Sequence, residues 1–316
     1  MNIENLLRET LSDMADEERP PAPERFLQYR EHRPLRRRGL TLVAAASAVA
    51  AMAVGSTVVV QAVSSQAPGD VAARQTRASS PTSESRTATV TVAAGMRLSQ
   101  VFRTLSSFTG RPVAEFEKAA RDGTALGLPS YAKGRLEGFL SPGTYKLSPT
   151  MSPGEILTAM MARFSKNADL VGGARRAGRT PLEILTIASI VQAEAGRLED
   201  MPKIARVIYN RLDRRMPLQI DSPVLYGLNK YGKKATLKDV KSSSPYNTYR
   251  RSGLPPTPIG NPGDDAIRAA LKPASGPWLF YVATDPRKGI LKFAASHADY
   301  TKLVDEARQE ARKLVE

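Results

Sequence analysis

An α+β fold behind a single N-terminal membrane-spanning helix is what this sequence predicts, and three observations carry that expectation. Residues 39–60 hold no charged side chain and are built of Ala, Val, Leu, Ser, Thr, Met and Gly. From Val90 onward, strand-like alternation and helix-like periodicity follow one another in short runs. Gly- and Pro-rich breaks separate those runs.

The uncharged stretch is long enough to cross a bilayer. Arg33, Arg36, Arg37 and Arg38 precede it and residues 61–68 carry no basic side chain, so the positive-inside bias keeps the N-terminus cytoplasmic and the rest extracytoplasmic. A membrane helix over 39–63 follows a polar, proline-punctuated cytoplasmic tail, 1–38, in which Ile3, Leu6, Leu7 and Leu11 form a short amphipathic start. A cleaved signal peptide is a competing reading, although the segment before the apolar run is long for one. An Ala-rich soluble helix is another, which makes the flanking arginines accidental. Residues 64–87, rich in Ser, Thr, Ala and Gln, have the composition of a flexible tether.

Lys and Arg total 46 against 31 Asp and Glu, a formal charge of +15 in 316 residues, which draws the chain toward polyanions. Nucleic acid, anionic lipid and an acidic cell wall all satisfy that charge. No helix-turn-helix, zinc-finger or RRM-like pattern supports the first, so nucleic acid is not expected as a partner. With no Cys and only His32 and His297, disulfides, thiolate nucleophiles and Cys- or His-rich metal centres are excluded, and neither metal nor cofactor is expected. Chemistry then falls to carboxylates, amides and hydroxyls.

The first folded unit starts at Val90, where Val90 and Val92 alternate with Thr91 and Gly95 turns the chain. Leu98, Val101, Phe102 and Leu105 fall at helical spacing, and Val113, Phe116 and Ala120 mark a second helix. Gly and Pro in Leu136-Glu137-Gly138-Phe139-Leu140-Ser141-Pro142-Gly143-Thr144-Tyr145 are expected to break any regular element there. Ser152 caps a further helix carrying Ile156, Leu157, Met160, Met161 and Phe164. This small α+β module reads equally as a spacer or as a glycan-binding unit.

Thr180-Pro181-Leu182-Glu183 combines a Thr cap, Pro at the first helical position and Glu placed for a capping box. The helix that follows is apolar on nearly every face up to Glu194, with Gly196 as its expected stop. Desolvation and the negative end of the helix dipole both disfavour the ionised form of a carboxyl placed there, which suits a general acid. A Glu reaching solvent at a helix end is the plainer reading of that single feature.

Asp200 and Pro202 open the next helix, with Ile204, Val207, Ile208 and Leu212 on its buried side. Alternation through Leu218 and Ile220 sets Gln219 and Asp221 on the opposite face. The loops Ser244-Pro245-Tyr246-Asn247-Thr248-Tyr249 and Gly253-Leu254-Pro255-Pro256-Thr257-Pro258-Ile259 offer amides, hydroxyls and aromatic faces suited to sugars, or else serve as stiff connections. Trp278 to Thr284, a turn through Asp285-Pro286, and Ile290 to Ala294 read as a hairpin. A last amphipathic helix carries Leu303, Val304, Ala307, Ala311 and Leu314.

Ala188-Ser189-Ile190-Val191-Gln192-Ala193-Glu194, Asn210-Arg211-Leu212, Met216-Pro217-Leu218-Gln219-Ile220-Asp221-Ser222-Pro223-Val224, Tyr246-Asn247-Thr248-Tyr249 and the Pro-rich loop, in that order, resemble the MltG (YceG-like) family of endolytic murein transglycosylases. The likeness spans about residues 88 to 300. It implies a LysM-like module over 88–166 and an α+β catalytic domain over 167–316. It also implies cleavage of the β-1,4 bond between N-acetylmuramic acid and N-acetylglucosamine, leaving a 1,6-anhydro end, with peptidoglycan strands as substrate and cell-wall synthesis proteins as possible partners. The family's catalytic Glu falls on Glu194. Many members carry a second Glu where this chain has Gln192, and the family's Gly-Gly-His-x-Phe segment is Gly289-Ile290-Leu291-Lys292-Phe293 here, without its His. Gln219, Asp221, Tyr226, Asn247 and Tyr249 are the expected sugar-holding residues. Two other functions stay open: a hydrolase in which Asp221 activates water opposite Glu194, and a silent wall-binding or assembly protein.

Overall fold

The structure is a computed structural model that describes residues 87–166, 170–231, 235–285 and 288–313. The expected cytoplasmic tail, membrane helix and nearly all of the tether lie outside the described residues. Among the described residues no helix is long and apolar enough to cross a membrane.

Strand β1 (Ala88–Val92) pairs antiparallel with β2 (Gly143–Leu147), Val90 lying opposite Tyr145. The second strand corrects the expectation that residues 136–145 hold no regular element: once β1 supplies the ladder, Thr144 and Tyr145 adopt the extended backbone their side chains favour. Helix α1 (Leu98–Thr109) packs on β1, and α2 (Val113–Ala120) packs between α1 and α3 (Pro153–Lys166). Val101, Phe102 and Leu105, spaced for one helix face, are buried, as are Ile156, Leu157, Met160 and Met161. Ser152 and Glu155 form the cap at the start of α3, each serving the other's backbone N–H.

The rest of the described chain builds around helix α5 (Pro181–Glu194). Its capping box is made as the sequence predicts, Thr180 Oγ1 accepting from Glu183 N at 3.3 Å and Glu183 Oε2 from Thr180 N at 2.7 Å. Residues 184–191 are buried without interruption, so this helix is enclosed on all sides. Around it pack α4 (Leu170–Arg176), α6 (Met201–Asp213), the short α7 (Asp221–Gly227) and α8 (Asp264–Leu271). Helices α4, α7 and α8 have no counterpart in the sequence expectation. Helix α8 is a principal partner of α5, and its buried Ala266, Ala269 and Ala270 let the two backbones come close.

Strands β3 (Phe280–Asp285) and β4 (Ile290–Ala294) form the expected hairpin, followed by α9 (His297–Lys313). Alternation splits β3 between two cores: Tyr281 and Ala283 join the main one, Phe280 and Val282 a smaller one under α9 with Tyr300 and Ala307. His297 packs at the helix start, its ring 5.9 Å from that of Phe280.

The Pro-rich loop is a strut rather than an open sugar-binding edge, for residues 257–262 are buried. Ile259 N donates to Ser189 Oγ on α5, while Asn261 accepts from Leu140 N through Oδ1 and donates through Nδ2 to Met96 O, both at 2.9 Å. Gly138, at φ +91°, is required at this junction, since a Cβ there would stand 2.6 Å from Pro258. The main core accordingly runs without a break from Val90 to Leu291.

Candidate active site

Glu194 is the last residue of α5 and is 4% exposed, although residues 196–199 immediately after it are exposed. The carboxyl therefore sits where a buried helix reaches the surface. Tyr281 Oη, from β3, donates to Glu194 Oε2 at 2.9 Å and fixes the orientation of the carboxyl. The sequence gives little sign of this pairing, apart from the rule that a buried tyrosine hydroxyl needs a partner.

The chain leaves the helix by a route the sequence reading did not foresee. Ala195, at φ −76° and ψ 120°, ends α5 in extended backbone, so Gly196 is not a left-handed cap. Gly196 is needed for contact instead: a Cβ there would lie 2.8 Å from both Cα and O of Gly289, at the tip of the hairpin. Asp200 follows at the start of α6, but its carboxyl makes no cap. It takes a hydrogen bond from the Leu291 backbone of β4, and its burial raises its pKa. The hairpin thus holds Glu194 through Tyr281, and the loop after it through Gly289 and Leu291. Gly196→Ala is expected to push that loop away from the hairpin and lower kcat at least about tenfold, since small misplacements of a reacting group are costly. Steady-state rates beside a melting curve check this.

A second group of side chains gathers where residues 217–221 meet 247–252. Gln219 N donates to Thr248 O at 2.9 Å, Ile220 N to Thr248 Oγ1 at 3.0 Å, and Pro217 bridges to Ser252. Tyr249 Oη donates to Asp221 Oδ1 at 2.6 Å, which brings two of the expected sugar-holding residues together. Leu218 and Ile220 are buried and Gln219 and Asp221 half-buried, as the alternation predicts. The segment is nonetheless no strand, because Gln219 is left-handed at φ 50°. Non-glycine residues hold such a conformation only where their surroundings enforce it, and here Arg211 does so. Arg211 is 5% exposed and donates from Nη1 to Pro217 O, Leu218 O and Gln219 Oε1, and from Nε to Leu279 O.

Asn247 and Tyr226 are placed differently from what a direct sugar contact requires. Asn247 is 1% exposed, its amide nitrogen donating to Val240 O and Ser242 O and its oxygen accepting from Tyr249 N. It shapes the loop that presents Tyr249. Tyr226 shares α7 with Asp221, but its hydroxyl turns inward to Glu137 Oε2 at 2.9 Å. Helix α7 packs on α5, so Asp221 and Glu194 belong to neighbouring helices.

Fold and site together define an α+β protein organised around one buried carboxyl at a helix end, steadied by a tyrosine from a hairpin. The YceG-like family profile matches residues 62–306. A crystal structure from Listeria monocytogenes of a protein described as YceG-like superposes with a TM-score of 0.62 at 31% identity, covering 68% of this chain and 76% of that one. Two proteins named endolytic murein transglycosylase are similar in sequence. The one from Streptococcus pneumoniae strain R6 is 36% identical over 183 residues, 56% of this chain and 33% of that protein. The one from Bacillus subtilis strain 168 is 38% identical over 150 residues, 47% of this chain and 42% of that protein. The matched part is thus less than half the length of either relative. The chain belongs to the YceG-like family.

Proposed function

We propose that this chain is an endolytic peptidoglycan lytic transglycosylase that cleaves the N-acetylmuramic acid-β-1,4-N-acetylglucosamine bond of nascent strands. The observation that carries the reading is Glu194: a carboxyl enclosed at the end of an apolar helix, its Oε2 held by Tyr281. The names of the two relatives support the same reaction class.

One carboxyl suffices for the chemistry. Glu194 protonates the departing glycosidic oxygen, and the carboxylate so formed takes the proton of the muramic acid C6 hydroxyl as that oxygen closes on C1. The product carries a 1,6-anhydro ring and no water is consumed. Gln219, Asp221 and Tyr249 are the proposed sugar-holding side chains, with Asn247 and Tyr226 acting through the shape of that face. Tyr281 supplies a hydrogen bond to the carboxylate formed after proton transfer. Tyr281→Phe is therefore expected to lower kcat about tenfold with little change in KM, read from steady-state kinetics on purified strands.

Residues 39–63 are proposed as a single membrane anchor with residues 1–38 cytoplasmic, and 64–87 as a tether. On that arrangement the LysM-like module, 88–166, and the catalytic part, 167–316, work outside the membrane on newly made strands, within reach of cell-wall synthesis proteins. Mass spectrometry of uncross-linked strands digested by the full chain tests the reaction. Anhydro ends are expected. Reducing ends indicate instead a hydrolase, and intact strands a binding protein.

A further inference from the structure

A second enclosed carboxyl lies outside the acid–base site. Glu137 is 8% exposed, in a loop whose residues 136–141 are all buried. It takes two hydrogen bonds from opposite sides. Leu98 N, in the first turn of α1, donates to Oε1, and Tyr226 Oη, on α7, donates to Oε2, each at 2.9 Å. The Arg97 guanidinium lies over the ring of Tyr226 at 5.1 Å and over that of Tyr231 at 4.3 Å, and its Nη1 is buried without a hydrogen-bond partner among the described residues. A loop packed this tightly does not need a carboxyl for cohesion, since an apolar side chain of similar size avoids the cost of burying one. What the carboxyl adds is geometry: it ties the start of α1 to the helix that begins with Asp221.

We propose that Glu137 is a positioning residue of the glycan-cleaving site, its carboxyl setting Tyr226 and with it the Asp221 helix so that strand binding depends on a contact from the N-terminal module. This rests on the function proposed above. The ring of Tyr226 packs at a tilt against that of Tyr246, at 5.0 Å between ring centres, so a shift of Tyr226 is passed to the loop that presents Tyr249.

The protonation of Glu137 enters through hydrogen-bond direction. An ionised carboxyl accepts from both Leu98 N and Tyr226 Oη. A protonated one must donate one hydrogen, so the Tyr226 hydroxyl has to turn round and accept it. Burial pushes Glu137 up from 4.5 to about 7, against the lowering pull of Tyr226, Leu98 and Arg97. Arg97 and Tyr226 are the charged and titratable groups facing it, with Tyr246 behind Tyr226. Because its pKa is higher in the folded state, Glu137 favours that state fully below about pH 4.5 and loses the contribution as pH rises through about 7. Over the same interval Tyr226 settles into its donating position.

The test compares the full-length wild type with Glu137→Gln and Glu137→Ala, measuring kcat and KM on uncross-linked glycan strands from about pH 5.5 to 8.5, with melting curves alongside. In the wild type, KM is expected to fall severalfold as pH rises through about 7. Glu137→Gln, whose amide must donate to Tyr226 as the protonated acid does, should fold normally and hold KM flat at the low-pH value. Glu137→Ala should raise KM about tenfold while kcat changes less. A Glu137→Gln enzyme with the wild-type KM profile overturns the proposal, as does a Glu137→Ala enzyme that melts lower but keeps the wild-type KM. Glu194→Gln, run in parallel, separates the two levels. If it is inactive while the Glu137 variants match wild type, positioning alone fails. If the wild type neither binds nor cuts strands, both readings fall.

Discussion

Glu194→Gln is expected to leave a folded protein that binds glycan strands and does not cut them. The amide has nearly the shape of the acid and can still accept from Tyr281 Oη through its carbonyl oxygen, so the end of α5 and the hairpin keep their contact. It can neither give up a proton to the leaving oxygen nor take one from the C6 hydroxyl. General acid–base catalysis by a placed side chain contributes about 10² to 10⁴ in rate. In the proposed reaction one carboxyl serves both half-steps, so the loss should lie at or beyond the upper end, with KM close to wild type. Rates and strand binding measured on one preparation, with a melting curve, separate this outcome from unfolding.

Arg211→Ala is expected to give the largest loss of stability. Four oxygens depend on this guanidinium, three of them backbone carbonyls, at distances from 2.7 to 3.0 Å. Leaving buried acceptors unserved costs about 1–3 kcal/mol each, partly recovered as the loop relaxes toward water, so a net loss of about 4 kcal/mol is expected in urea unfolding. The effect reaches function as well. Arg211 joins the end of α6 to Leu279, just before β3, and to residues 217–219, so its removal frees Gln219 to leave its left-handed conformation. Arg211→Lys should recover less than half of the loss, because an ammonium cannot reproduce the planar fork that serves both sides at once.

Much of this was readable in the amino-acid order. The enclosed helix announced itself by a capping box at Thr180 and an apolar run ending in one carboxyl, and the structure buries all of residues 184–191. The hairpin, α6 and the helices of the first module follow their apolar periodicity. Other features were illegible because they depend on partners distant in the chain. Tyr281 reads as one more large residue in an apolar strand until the fold brings it to Glu194. Glu137 stands out in its motif, yet nothing local shows that its carboxyl meets Leu98 and Tyr226. Helix α8, whose buried face is largely alanine, gives a weak apolar signal although it packs closely on α5. Asn247 is the opposite case. An amide in a Tyr-rich loop suggests a sugar contact, but its hydrogen-bonding capacity is taken up by the loop itself. Glycine after a helix suggests a stop, whereas the reason for Gly196 is the backbone of Gly289.

The hairpin also gains a role despite lacking the family's His. It supplies Tyr281 to the acid, Gly289 as the surface against which Gly196 lies, and the Leu291 backbone to Asp200. Three contacts from one two-stranded element hold the Glu194 carboxyl and its following loop, which places the proposed acid on rigid structure rather than on a free loop.

The most direct measurement is a crystal structure of the Glu194→Gln variant with a bound glycan oligosaccharide long enough to span the scissile bond. The residue-194 amide is expected within hydrogen-bonding distance of the glycosidic oxygen between muramic acid and glucosamine, with the muramic acid C6 hydroxyl on the same side. A strand bound with that linkage remote from residue 194, and another carboxyl beside the oxygen, would contradict it.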